Sequence, residues 1–271
     1  MTLATIALTI LLTALYATVA GAEEPSRENK LPTAIDLRPN FEAYGLPNRC
    51  QGARGTCSVF AVTGGIEYAY AVRNGTGFRL SIEFLNWAAH RAVNRSVDGG
   101  FFSELWKGYE TSGICLEEDL PYRTEFDNSL IPTNAASDHA RKLRTTDLKL
   151  HWIKEWNPEI GLTPAHVASI KQTIAKRWPV LGGFRWPKKL EWQNGLLAMC
   201  PASEVFDGHS VMLVGFKDDA ALPGGGAFII RNSGGDGSDG LLSYTFVSQY
   251  MNDAAWVESA GHSPLTIRTG G

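Results

Sequence analysis

The 271-residue chain has no surplus of either charge. Its 25 Lys and Arg stand against 28 Asp and Glu, a formal net charge of −3. Without a broad basic field it lacks the electrostatic footprint expected of a protein that binds nucleic acid or an anionic membrane surface. It contains no internal repeat and no low-complexity tract, so nothing points to a repeat array or a disordered linker protein. Cysteine is scarce: Cys50, Cys57, Cys115 and Cys200 are the whole complement. Four thiols allow three full pairings, and if one is a free nucleophile at most one internal bridge can form, so the fold cannot lean on disulfides.

Long apolar runs are also lacking, with one exception. Thr2 to Ala20 carries no charge and ends at Ala20-Gly21-Ala22, a small-x-small site followed by Glu23-Glu24. This reads as a signal peptide over residues 1–22, with residues 23–30 as a polar linker. The expectation is an exported protein, secreted or periplasmic, with no stable membrane association after cleavage. An uncleaved anchor is the alternative, because the run nearly spans a bilayer and no Lys or Arg precedes it. Export places the thiols in an oxidising compartment, where surplus cysteines normally pair.

What is present is an ordinary globular composition, 44% hydrophobic, enough for one large domain or two small lobes. From Cys57 to about Val72 the apolar residues Val59, Phe60, Val62, Ile66, Ala69 and Tyr70 follow a 3.6-residue period that Asn74-Gly75 stops, which predicts a helix with Cys57 in its first turn. Its interior Gly64-Gly65 points to close packing against another element. Helices are also predicted over Ser81 to Ala92 and Phe102 to Thr111, and another opens at Thr163-Pro164 and ends near Trp178-Pro179. Beyond it, "PVLGGFRW", "HSVMLVGF", "GAFIIRN" and "LLSYTF" are short, β-branched or aromatic, and separated by Gly, Pro and Asp. They predict strands of a mostly antiparallel sheet or barrel. A helical half followed by a β half gives an α+β fold with a cleft between its lobes as the default place for a site.

Within that frame a few residues can carry chemistry. A thiol at a helix N-terminus meets the positive end of the helix dipole and free N–H groups, both of which favour thiolate, so Cys57 is a better nucleophile than Cys50. His209 opens "SVMLVGF" after Asp207-Gly208, at the end of a core strand, a rigid position for a general base. Asn232 ends "AFIIRN", where a neutral amide can hold the second imidazole nitrogen. Gln51, six positions before Cys57, has a side-chain amide able to fold back beside the Cys57 N–H and stabilise a tetrahedral oxyanion. The order Cys, His, Asn is one known solution of the nucleophile, base and orienter problem.

From about Leu31 to Phe246 these residues resemble the papain-like cysteine peptidases. "LPTAIDLR" is similar to the start of the family's mature domain and "QGARGTCSVFA" to its glutamine-to-cysteine motif. "LSIEFL", "DGGFFSELWKGYETSGICLEEDLPY", "HSVMLVGF" and "FIIRNSGG" follow in the family's order. The resemblance implies a two-lobed fold, with a helical lobe at about 45–125, a β lobe at about 126–260 and the active site between them in a peptidase domain over 31–271. It implies Cys57 as nucleophile, His209 as base and acid, Asn232 as orienter, Gln51 as oxyanion donor and Gly99-Gly100 as the backbone that binds an extended peptide or protein substrate, with no metal or organic cofactor. The expected function is an exported cysteine peptidase acting through an acyl-enzyme. Alternatives are an inactive peptide- or protein-binding module, or a transpeptidase using the same intermediate.

Departures from the pattern qualify this. Arg54 stands where the family has a cysteine and Val97 where that cysteine's partner is expected, so both ends of one bridge are replaced together. Ser58 replaces the aromatic residue after the nucleophile, and Gly234 the tryptophan that normally shields the asparagine–histidine hydrogen bond. Between the expected signal and Leu31 there is no room for a long inhibitory pro-segment, so control is expected to come from location, reduction of Cys57, a partner or a narrow substrate range.

Overall fold

The computed structural model describes residues 31–264, and the expected signal peptide and linker lie outside the described residues. The first half is helical apart from one short strand, β1 (Ala34–Asp36). It continues with α1 (Arg38–Ala43), α2 (Cys57–Asn74), α3 (Ile82–Val93), α4 (Phe102–Ser112) and α5 (Asn134–Leu143). Their ends have local causes. The α2 helix stops at Gly75, whose φ of 75° is left-handed and whose N–H reaches Ala71 O. The Ser81 hydroxyl accepts the Phe84 N–H at 2.9 Å to start α3, and the Thr133 hydroxyl accepts the Ala136 N–H at 3.1 Å to start α5.

The second half holds β2 (Leu148–Lys154), α6 (Pro164–Ala175), β3 (Val180–Pro187), β4 (Trp192–Gln193) and β5 (Leu196–Leu197). It closes with β6 (Val205–Asp218), β7 (Gly226–Arg231), β8 (Gly240–Ser243), α7 (Tyr244–Tyr250) and β9 (Met251–Ser259). The strands form one sheet in the order β2-β9-β3-β6-β7-β8-β5-β4, with β1 added on β6. Every pairing is antiparallel except β5 with β8. The α+β architecture is the one expected.

Three details differ from the sequence reading. The "LLSYTF" segment is a strand only to Ser243, whose hydroxyl accepts the Phe246 N–H at 3.1 Å and turns the chain into α7. His209 lies inside β6 rather than at its end, because pairing with β3 begins at Val205. The strands β2 and β9 were not expected, and Asn252-Asp253 in β9 breaks the apolar pattern by which a strand is recognised.

The helix that carries Cys57 is buried along almost its whole length. It rests on the sheet through its two glycines: a Cβ at Gly64 would stand 2.7 Å from Met212 Sδ, and one at Gly65 3.1 Å from Leu181 Cδ2. The predicted close approach at Gly64-Gly65 is therefore the seat of α2 on β6 and β3. A second, smaller apolar cluster joins Phe84 and Ala88 of α3 to Cys115, Leu120, Ala136 and Ala140. The α5 helix thus packs with the helices although it lies beyond residue 125, and apart from β1 the strands of the sheet begin at β2.

All four cysteines are free thiols. The loop before α2 is tied instead by charge. Arg54, 6% exposed, donates to Glu83 of α3 at 2.6 and 3.2 Å and to Asp98 at 2.9 Å through two nitrogens. Its guanidinium also lies 4.8 Å from the centre of the Tyr122 ring.

Candidate active site

Cys57 is the first residue of α2, and the N-cap before it is unusual. Thr56 does not cap the helix with its side chain; its hydroxyl is 2.7 Å from Tyr122 OH, which donates to Gln51 O at 2.9 Å. The first N–H groups of α2 are therefore left for other partners. The thiol lies against β6, with Sγ 3.6 Å from Gly208 O. Burial pushes the Cys57 thiol above its ordinary value, while the Ser210 and Ser58 N–H groups and the Ser210 hydroxyl pull the other way.

His209 is aimed by a fault in the sheet. The β3–β6 register pairs Phe184 with His209 and Arg185 with Asp207, so Gly208 is an extra residue, a bulge with φ 124°. The bulge carries Gly208 O to the thiol and brings His209 into the same cavity: Cys57, Gly208, His209 and Ser210 line one cleft cavity of about 300 Å³. His209 Nε2 is 2.8 Å from Asn232 Oδ1, which also accepts the Gly234 N–H at 2.9 Å. An amide oxygen only accepts, so Nε2 carries the proton and Nδ1 is the nitrogen left for the thiol. Burial holds His209 below the ordinary imidazole value, with the Asn232 bond opposing.

Gln51 sits in the turn ahead of α2. Its N–H donates to Ser233 O at 2.8 Å, its Oε1 accepts the Ser233 hydroxyl at 2.8 Å, and its Nε2 donates to Arg54 O at 2.8 Å. The Arg54 carbonyl, which can only accept, fixes which end of the amide is the donor, leaving one Nε2 hydrogen uncommitted by these bonds. The expected glycine pair divides its labour. Gly99, φ 78°, would collide with Gly55 O if it bore a Cβ, and both of its backbone groups are engaged, N–H to Asn86 Oδ1 at 3.1 Å and C=O to the His90 ring at 3.0 Å. Gly100 lines the cleft, and its N–H reaches Ser58 Oγ at 3.3 Å. Cys50 stands apart, exposed, with its thiol 3.0 Å from Gly235 O.

Residues 31–261 match the family model described as papain family cysteine protease. The chain belongs to the papain family. It is similar to Cysteine proteinase 3 of Solanum lycopersicum, 26% identical over 217 residues, covering 78% of this chain and 55% of that protein. It is also similar to Thiol protease aleurain of Arabidopsis thaliana, 23% identical over 222 residues, covering 81% and 56%. The chain thus spans little more than half the length of these relatives. Among solved structures it superposes on xylellain, a cysteine protease from Xylella fastidiosa, with TM-score 0.68 and 20% identity over 85% of this chain and 87% of that one. It also superposes on the Carica candamarcensis protease CMS1MS2 in complex with E-64, with TM-score 0.61 and 23% identity over 85% and 100%. These likenesses establish the shared papain-like fold.

Family membership sharpens the departures. At Gly234, where the papain pattern has a tryptophan, a Cβ would stand 3.0 Å from His209 Cε1 and 3.3 Å from Asn232 Oδ1. The indole that does cover the histidine comes from the neighbouring strand: Trp186 of β3, 4% exposed, has its ring centre 4.6 Å from that of His209. Where the resemblance leads one to expect a bridge between positions 54 and 97, the structure has an ion pair between Arg54 and Asp98. Sequence reasoning missed Trp186, Ser210 and Asp253, which also lines the cleft. An aromatic residue in "PVLGGFRW" reads as core, and only the ring contact between β3 and β6 reveals that it faces the histidine.

Proposed function

We propose that this papain-family chain is a cysteine peptidase that hydrolyses peptide bonds through an acyl-enzyme on Cys57. The observation that carries this is the pairing of His209 Nε2 with Asn232 Oδ1 at 2.8 Å in the cleft that holds Cys57, which leaves Nδ1 for the thiol proton. Nδ1 takes the proton from Sγ, and the sulfur attacks the scissile carbonyl. The resulting oxyanion is held by the Gln51 Nε2–H and the Cys57 backbone N–H. As the intermediate collapses, the C–N bond breaks and His209 returns the proton to the leaving amine. Water, deprotonated by the same nitrogen, then attacks the thioester and releases the acid and the free thiol. Gly100 offers its backbone to an extended peptide or protein substrate while Gly99 holds the turn. The exported location rests on the 1–22 signal-peptide reading.

The test is labelling with an epoxysuccinyl reagent of the kind bound by the Carica protease, followed by peptide mapping. Modification of Cys57 at a rate cut at least a hundredfold by His209→Ala is the expected result. Peptidase activity that survives in Cys57→Ala, or modification confined to Cys50, overturns the assignment. Amide products formed on adding an amine acceptor, in place of hydrolysis, would make the chain a transpeptidase.

A further inference from the structure

A second cavity lies among the segments that carry the catalytic residues, and Ser210 alone is common to its lining and that of the cleft. Its volume is about 40 Å³, and its charged walls are three arginines, Arg49, Arg79 and Arg231, and one acid, Glu67 of α2. Glu67 is 3% exposed and fully committed. Its Oε1 accepts Arg49 Nη2 and the Leu80 N–H, both at 2.8 Å, and its Oε2 accepts Arg79 Nη1 at 3.1 Å. Arg231, the last residue of β7, is 9% exposed and makes no ion pair among the described residues. Only its Nη2 has an acceptor, Leu46 O at 3.0 Å, and its guanidinium lies 4.1 Å from the centre of the Phe41 ring. Asp239, the acid that acts on it most, stands outside the lining, 3.8 Å from Arg38. Burial lowers Arg231 to about 10 and also holds Arg79 below its ordinary value. The wall is therefore a buried cationic surface short of counter-charge.

The space and the chemistry narrow what would relieve it. A guanidinium is weakly hydrated and stays charged at any physiological pH, so it gains most from an anion that also gives up water readily. A cavity of this volume admits a few water-sized spheres, which suits a monatomic anion better than phosphate or a peptide carboxylate. The walls also adjoin the catalytic residues in sequence. Arg231 and Ser233 flank Asn232, Ser210 follows His209, and Arg49 is two positions before Gln51. Asn48, a further wall residue, donates to Asn232 O at 3.0 Å.

We propose that the cavity among Arg49, Arg79 and Arg231 binds a chloride-sized anion, and that the bound ion braces the segment carrying Asn232 and raises turnover. By completing the charge balance behind Asn232, the ion fixes the backbone from which the amide reaches His209. The binding stands by itself, and the effect on turnover rests on the peptidase reading.

The test titrates the full chain from gluconate to chloride at fixed ionic strength, following the melting temperature by calorimetry and kcat on a fluorogenic peptide. At ten times the dissociation constant the melting temperature is expected to rise by about 3–6 °C. The curve saturates, bromide reproduces it and phosphate does not. Over the same curve kcat is expected to rise about fivefold. Arg231→Gln is expected to abolish both responses. A melting temperature without a saturating chloride response, or a folded Arg231→Gln that keeps the wild-type response, overturns the site. An equal response to phosphate overturns the monatomic assignment. Should Arg231→Gln fail to fold, wild-type crystals soaked in bromide decide: an anomalous peak beside the Arg231 guanidinium is expected, and its absence overturns the site. Saturating stabilisation with an unchanged kcat overturns the brace alone. Stabilisation with no turnover at any chloride concentration overturns the peptidase reading alone.

Discussion

Replacing Arg54 by methionine keeps most of the aliphatic volume and removes the guanidinium between Glu83 and Asp98. The side chains of those acids are 2% and 16% exposed. After the change Glu83 retains the Arg123 N–H at 3.1 Å and Asp98 the Asn86 amide at 3.0 Å, but neither keeps a counter-charge from residue 54. Removing one partner of a buried pair typically costs about 3–5 kcal/mol. The partial exposure of Asp98 moves its share toward the surface value of at most about 1 kcal/mol, so the loss expected here is about 3–4 kcal/mol. At about 2–4 °C per kcal/mol for a domain of this size class, the melting temperature falls by roughly 6–16 °C. Calorimetry at neutral pH, with a urea titration to obtain the free energy, measures it. Arg54→Met combined with Glu83→Gln and Asp98→Asn removes the stranded charges and is expected to recover at least half the loss. A single variant within about 1 kcal/mol of wild type, or a triple variant no better than the single, refutes the reasoning, because the carboxylates would then be solvated rather than stranded.

Three further outcomes are expected at the site. Gln51→Ala lowers kcat about 10²- to 10³-fold with KM little changed, the signature of an oxyanion donor, and steady-state kinetics showing a loss below fivefold would remove it from that role. The kcat/KM profile is a bell belonging to the coupled pair. Burial lowers His209 from 6.5, so the imidazole stays unprotonated to lower pH and the acid limb falls below that value. Burial raises the Cys57 thiol from 9.0, so the alkaline limb lies above it. A limb displaced in the opposite direction contradicts the burial argument. Trp186→Ala lets water reach the His209–Asn232 bond, so kcat drops and the acid limb moves up toward the ordinary imidazole value. A lower kcat with an unmoved limb would mean that Trp186 acts through packing alone.

The part of the site that a peptide motif can spell was legible in the sequence. Cys57 was found because the helix period starts at it, and Gln51, His209 and Asn232 because each flanks a recognisable turn or strand. What escaped depends on pairings between distant segments. Trp186 reads as core until the packing of β3 on β6 sets its ring on His209, and the Gly208 bulge has no local signature beyond a glycine. Asp253 interrupts an apolar run and so argued against the strand that contains it. The helix after Ser243 was missed because aromatic and β-branched residues outvoted a cap. Arg54 was read as the mark of a lost bridge, and the structure gives it two buried ion pairs, to Glu83 and Asp98. Neither carboxylate was anticipated, because pairing across 29 and 44 residues of sequence leaves no local signal.

The Arg54 ion pairs also bear on how the thiols are treated in any assay or host. A thiol nucleophile works only while it is reduced, and a fold held by disulfides gives up stability to the same reductant that protects its active centre. Here the loop that presents Cys57 is fastened by groups that neither gain nor lose electrons. Reducing strength can therefore be raised until Cys57, Cys50 and Cys200 are all protected from oxidation, and the walls of the cleft keep their positions throughout.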